Sequence, residues 1–61
     1  MKVKNVEVGV KFRDADFGIC TVMRYDHTDP KSRSDIWVIE HEDRSTSNMT
    51  DWAICSREEI R

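Results

Sequence analysis

Two glycines and one proline are all that this 61-residue chain holds of the residues that build linkers and low-complexity segments. The chain therefore reads as one folded domain spanning residues 1–61. Cysteine is as sparse: Cys20 and Cys55 form no C-x-x-C, and His27 and His41 form no H-x-x-x-H. Structural zinc needs such spacings, so neither a metal site nor a cofactor is expected. Isolated cysteines in a reducing compartment are mostly small buried apolar residues. No hydrophobic run approaches the roughly 20 residues that span a bilayer. The opening MKVKNVEVGV is positively charged but has no apolar h-region and no cleavage site. The expectation is a cytoplasmic protein without membrane contact. In that setting the sequon Asn48-Met49-Thr50 carries no meaning.

Charge of one sign is also missing. Twelve acids against ten lysines and arginines leave a net charge of −2. The basic residues are spread along the chain among acids, whereas a nucleic-acid binder usually shows a basic balance or a clustered basic face. The acid excess is far too small for a mimic of DNA. With 38% hydrophobic residues the chain is apolar enough to fold. The core must be small, because a domain of about 60 residues buries only about 60% of its unfolded surface.

What is present is mostly β pattern. Val6, Val8, Val10 and Phe12 alternate with Glu7, Gly9 and Lys11, the period of a half-buried strand, with Gly9 marking a bulge or sharp bend. Asp14 and Asp16 in "RDAD" can bond their own backbone in a turn. Phe17-Gly18 then opens a second strand to Tyr25. Phe17, Ile19, Thr21, Met23 and Tyr25 share one face; Cys20, Val22 and Arg24 share the other. A strand apolar on both faces is often central and curved, serving two sides of a small barrel. Asp26 to Asp35 is a polar loop around Pro30. Ile36 to Glu42 is a strong strand by content, with either its Trp37-Ile39-His41 or its Ile36-Val38-Glu40 face inward. A hairpin tip at Asp43-Arg44 leads to a short strand near Ser45 to Met49. In the tail, Trp52, Ile54 and Ile60 look core-facing. Thr50 or Asp51 can cap a helical turn, Ala53 to Cys55 can form a closing strand, and Ser56-x-x-Glu59 matches a capping box.

Gly9-Val10-Lys11-Phe12, Phe17-Gly18, Val22 and Trp37-Val38-Ile39-Glu40 together resemble the small Tudor/SH3-like barrels attached to bacterial helicases and transcription factors. The resemblance spans about Val8 to Ile54. Cys20 stands where that family often has a second glycine, and Glu42-Asp43-Arg44 replaces its usual Asp-Gly. The resemblance implies an all-β fold: a small, strongly bent five-stranded SH3/Tudor-like barrel with a short helical turn near the C-terminus. It also implies that Phe17 plugs the barrel end while Gly18 lets the second strand begin its bend.

Catalytic residues are not apparent. Asp14 and Asp16 suit a turn better than acid–base work. His27 reads as a solvated loop residue and His41 as an exposed strand position or a modest pH-sensitive contact. Cys20 and Cys55 lie in apolar segments without a neighbouring base. A chain this short also leaves little room for a pocket of hundreds of Å³. The reading is a non-enzymatic protein-interaction module that binds and regulates a larger macromolecular machine. Short, highly charged single-domain proteins of this style are common among bacteriophage accessory proteins. Its partner-binding residues are expected to be Tyr25, Trp37, Phe17, Arg24 and Arg33, beside the polar loop. Two other readings compete. One is a nucleic-acid module using Lys11, Arg13, Arg24, Lys31 and Arg33 at one end of the barrel. The other is a structural homodimer paired through exposed strand edges.

Overall fold

A computed structural model describes residues 1–60. They form β1 (Lys11–Asp14), β2 (Gly18–Thr28), β3 (Asp35–Glu40), β4 (Thr46–Thr50), α1 (Asp51–Cys55) and β5 (Glu58–Ile60). The strands make one antiparallel sheet in the order β4-β3-β2-β1-β5. The all-β expectation with a short helix near the C-terminus holds. Hydrogen bonds do not close the sheet, because β4 and β5 are not paired with each other.

β2 is the central strand that its two apolar faces imply. Gly18–Thr21 pairs with β1, and Thr21–Thr28 pairs with β3. The register slips between Val22 and Arg24 and again between Tyr25 and His27. Each extra residue bends the strand and increases its twist, so one strand serves both halves of the sheet. The core it wraps is Val3, Phe12, Cys20, Val22, Ile39 and Ile54, with Val6, Val10, Trp37 and Met49 packed against it. The inward face of β3 is the one carrying Trp37 and Ile39, and His41 just beyond continues it.

Several local expectations are corrected. The first strand starts at Lys11, not Val6. Val10 N–H donates to Glu7 O at 3.1 Å, closing a turn in which Gly9 has φ +95°; Val8 at that turn is exposed. A positive φ costs glycine nothing, so the turn overrides the period-two pattern. The polar loop is shorter than Asp26–Asp35. β2 runs on through Thr28 and β3 begins at Asp35, and Thr28 Oγ1 donates to Asp35 Oδ1 at 2.9 Å across the closing pair. Trp52 is 66% exposed while Ile54 is fully buried. In a strand the two would share a face, but Asp51–Cys55 is helical, and residues two apart lie on nearly opposite sides of a helix. Thr50 caps that helix, its Oγ1 accepting from Ala53 N–H at 3.2 Å. Ser56 ends it, so the capping-box match at Ser56 marks no helix start.

Candidate functional site

Tyr25 and Trp37 face each other in the β2–β3 register. Their rings meet edge to face, with centroids 5.5 Å apart and planes at 76°, an arrangement that suits the aromatic quadrupole. Met49 follows Trp37 in the β4 register, so the row Tyr25-Trp37-Met49 crosses three strands on the core side of the sheet. Trp37 and Met49 rest on the core, while Tyr25 is 48% exposed. The Tyr25 hydroxyl bonds Thr28 Oγ1, whose own proton goes to Asp35 Oδ1. The phenol must therefore donate inward, which leaves its lone pairs open to a visiting donor. The Trp37 indole N–H is buried with no acceptor, an uncompensated polar cost carried beside a half-open ring.

The remaining expected contact residues do not all join this pair. Arg33 lies in the β2–β3 loop at the same end of the hairpin, with φ 59° and its N–H donating to Asp29 O at 2.7 Å. Arg24 pairs with Val38, one step from the Tyr25–Trp37 pair, so strand alternation puts it on the opposite face. There it meets Asp26 at 3.3 Å. The Asp26 carboxyl is held below its ordinary value, first by the His27 hydrogen bond and further by Arg24. Phe17 sits at the other end of β2, outside the core cluster. It is 51% exposed and stacks on His41, with ring centroids 4.0 Å apart. Gly18, at φ +73°, turns the chain immediately after Phe17 and leaves its ring outside the core. The basic residues named for nucleic acid are not gathered either: Arg13 lies near the Gly18 end of β2, and Lys31 and Arg33 lie beyond its Thr28 end.

His41 is buried, not exposed. Its Nδ1 and Nε2 each lie 2.9 Å from a serine, Ser45 Oγ and Ser47 Oγ respectively. Ser45 Oγ donates to Asp43 Oδ1, so it accepts from His41 Nδ1–H, and Ser47 faces Nε2. The Asp43 carboxyl is held low by the side chain and backbone of Ser45. This network fastens the β3–β4 turn. Serines four and six residues beyond a histidine at a hairpin start are the sequence signal for it.

A second feature left no signal in the sequence. An open cleft of about 690 Å³ is lined by Lys2, Arg13, Asp14, Asp16, Ser56 and Arg57 among others, so the short chain does have room for one. Asp14 is buried at its floor. One carboxylate oxygen accepts from the Asp16 and Phe17 N–H groups at 3.0 and 3.1 Å; the other accepts from Arg57 Nε at 2.9 Å. Burial alone would raise the Asp14 pKa, but these donors outweigh it and hold the carboxyl below its ordinary value. Cys20 moves the other way, raised by burial and by the nearby Asp14 and Glu42 carboxylates. Cys20 and Cys55 are both free thiols, Cys20 buried and Cys55 half-buried. Among the described residues no three His, Cys, Asp or Glu side chains gather as a metal-holding group, and no helix is long and apolar enough to cross a membrane. No protein-family model matches the chain, and no curated protein or solved structure matches it either.

Proposed function

We propose that this protein is a non-enzymatic interaction module of the SH3/Tudor-like type that binds a protein component of a larger assembly and regulates it. The barrel reading draws its support from the strand order β4-β3-β2-β1-β5, the bent central β2, and a single helical turn between β4 and β5. The binding surface is the Tyr25–Trp37 pair with the neighbouring β2–β3 loop, including Arg33. The observation that carries this reading is the half-exposed Tyr25 ring set edge-on against Trp37 at the mouth of the core. Exposed aromatics beside a packed base are typical anchors of protein interfaces. The Tyr25 hydroxyl offers an acceptor there, so the matching partner segment carries a donor.

Affinity capture from host lysate with wild-type protein and with Tyr25→Ala tests this reading. A partner retained at high salt and after nuclease, and lost with folded Tyr25→Ala, is the expected result. Loss of all captured material on nuclease or salt treatment would replace it with the nucleic-acid reading.

A further inference from the structure

The cleft beside Gly18 lies towards the opposite end of β2 from the Tyr25–Trp37 pair, and the proposed partner surface makes no use of it. Lys2, Arg13 and Arg57 line it. Arg57 is held on two sides: Nε–H donates to Asp14 Oδ1 at 2.9 Å, and Nη1–H donates to Ser56 Oγ at 2.8 Å. Ser56 Oγ gives its own proton to the Ala53 carbonyl at 2.6 Å, so it stands as a fixed acceptor for Arg57. Among the described residues no acceptor meets Arg57 Nη2. Lys2 is set beside this guanidinium by the backbone. Lys2 bridges to Glu58, Val3 N–H donates to Arg57 O at 3.0 Å, and Glu59 N–H donates to Met1 O at 2.7 Å. Lys2 Nζ then donates to Ser56 O at 2.9 Å, so ammonium and guanidinium meet on one serine.

Most of the acids in the cleft are already spent. Asp14 is taken up by Arg57 and by its own turn, and Glu58 meets the Met1 amino group at 2.9 Å and Lys2 at 3.9 Å. Arg13 faces Glu58 across the β1–β5 ladder, yet among the described residues it has no ion pair. Asp16, exposed on the same cleft, has none either. We propose that the cleft binds an oxyanion, the carboxylate or phosphate group of a small ligand, on the open N–H groups of Arg57 with Lys2 and Arg13 beside it. A planar guanidinium matches two oxygens of either group. Because Asp14 and Ser56 already immobilise it, it loses little freedom when the anion arrives. The cleft, about 690 Å³, is larger than one oxyanion, so the ligand carries a further body. The unpaired Asp16 carboxylate suits a hydroxyl or amino group on that body.

NMR titration of isotope-labelled protein with sodium phosphate and, separately, sodium acetate tests the inference, at neutral pH and with ionic strength held constant by chloride. Saturable shifts of the Arg57 side-chain N–H and of the Ser56 and Arg57 backbone amides are expected, with a Kd of about 1–10 mM for so small a probe. A response to one anion alone supports the site and identifies which oxyanion it takes. Arg57→Gln is expected to weaken binding at least about tenfold, the worth of hydrogen bonds to a charged group. Lys2→Gln and Arg13→Gln are each expected to weaken it about two- to fivefold, the scale of an exposed charge pair. Lys4→Gln removes one charge outside the cleft and is expected to bind like wild type. If Arg57→Gln does not fold with Asp14 left unpaired, the Lys2 and Arg13 variants decide the matter. Shifts at Arg57 that fail to saturate by about 100 mM of either anion, a folded Arg57→Gln that binds like wild type, or a Lys4→Gln loss equal to those of Lys2→Gln and Arg13→Gln overturns the proposal.

Discussion

Arg44 and Gly18 hold nearly the same left-handed backbone, with φ 70° and 73°, yet only one is a glycine. A side chain in that region costs roughly 1–2 kcal/mol. Arg44→Gly removes that cost but frees the unfolded chain, which takes back about 0.4–1 kcal/mol. The expected net effect is a gain between zero and about 1.6 kcal/mol, read as a higher midpoint in thermal unfolding. Gly18→Ala moves the other way by about 1 kcal/mol, and Glu42 must swing aside because its carboxylate fills the space of the new methyl. The sequence located the Asp43-Arg44 turn but not the strain within it. Trp52 makes a contrasting case. In the isolated chain Trp52→Ser is expected to change stability by no more than about 0.5 kcal/mol, and a loss above about 1.5 kcal/mol in denaturant titration would refute its exposed placement.

Between elements, one ion pair fixes the geometry of the cleft. Asp14 ends β1 and caps the turn into β2, while Arg57 stands between α1 and β5, 43 residues away. Asp14→Ala removes the ion pair and both turn hydrogen bonds, and is expected to cost about 2–3 kcal/mol, read by urea unfolding. Its carboxyl is held below its ordinary value in the folded chain. The stabilisation is therefore full above the unfolded value of about 3.9 and declines as pH falls from there towards the lower folded value. Asp14→Asn is expected to flatten that acid limb of stability against pH without abolishing it, because Asp29 and Asp43 are also held low, by the Lys31 N–H and by Ser45. The turn at Asp14 was legible from "RDAD", because aspartate bonding to its own backbone is local chemistry. Its partner was not, because nothing local connects residue 14 to residue 57. The same limit explains the candidate surface. The Tyr25–Trp37 pairing was readable as two aromatics flanking one loop. Strand alternation alone set Arg24 opposite Tyr25, whereas the register slip that parts Arg24 from Val22 is announced by no spacing.

At the scale of the molecule the core is six fully or nearly fully buried side chains. Domains of this size rarely gain more than about 3–5 kcal/mol from a single core. Phe12→Ala is expected to cost about 3–5 kcal/mol, equal to the whole of that stability. Far-UV circular dichroism should therefore show a largely unfolded chain at 25 °C, and a fully cooperative native transition would disprove this account of the core.

Sequence alone determined the class of the fold and most of its strands. Alternation of apolar residues, the Phe17-Gly18 step and the paired turn residues are local signals, and each is set by the chain's own sterics and hydrogen bonding. The tertiary structure decided which faces were buried. Val8 went outward because Gly9 turns the chain, His41 went inward because Ser45 and Ser47 satisfy both of its nitrogens, and Trp52 was released to solvent because a single helical turn aims Ile54 into the core instead. It also left β4 uncovered while the N-terminal segment sealed β5. These outcomes depend on groups far apart in the chain competing for a core too small to hold them all.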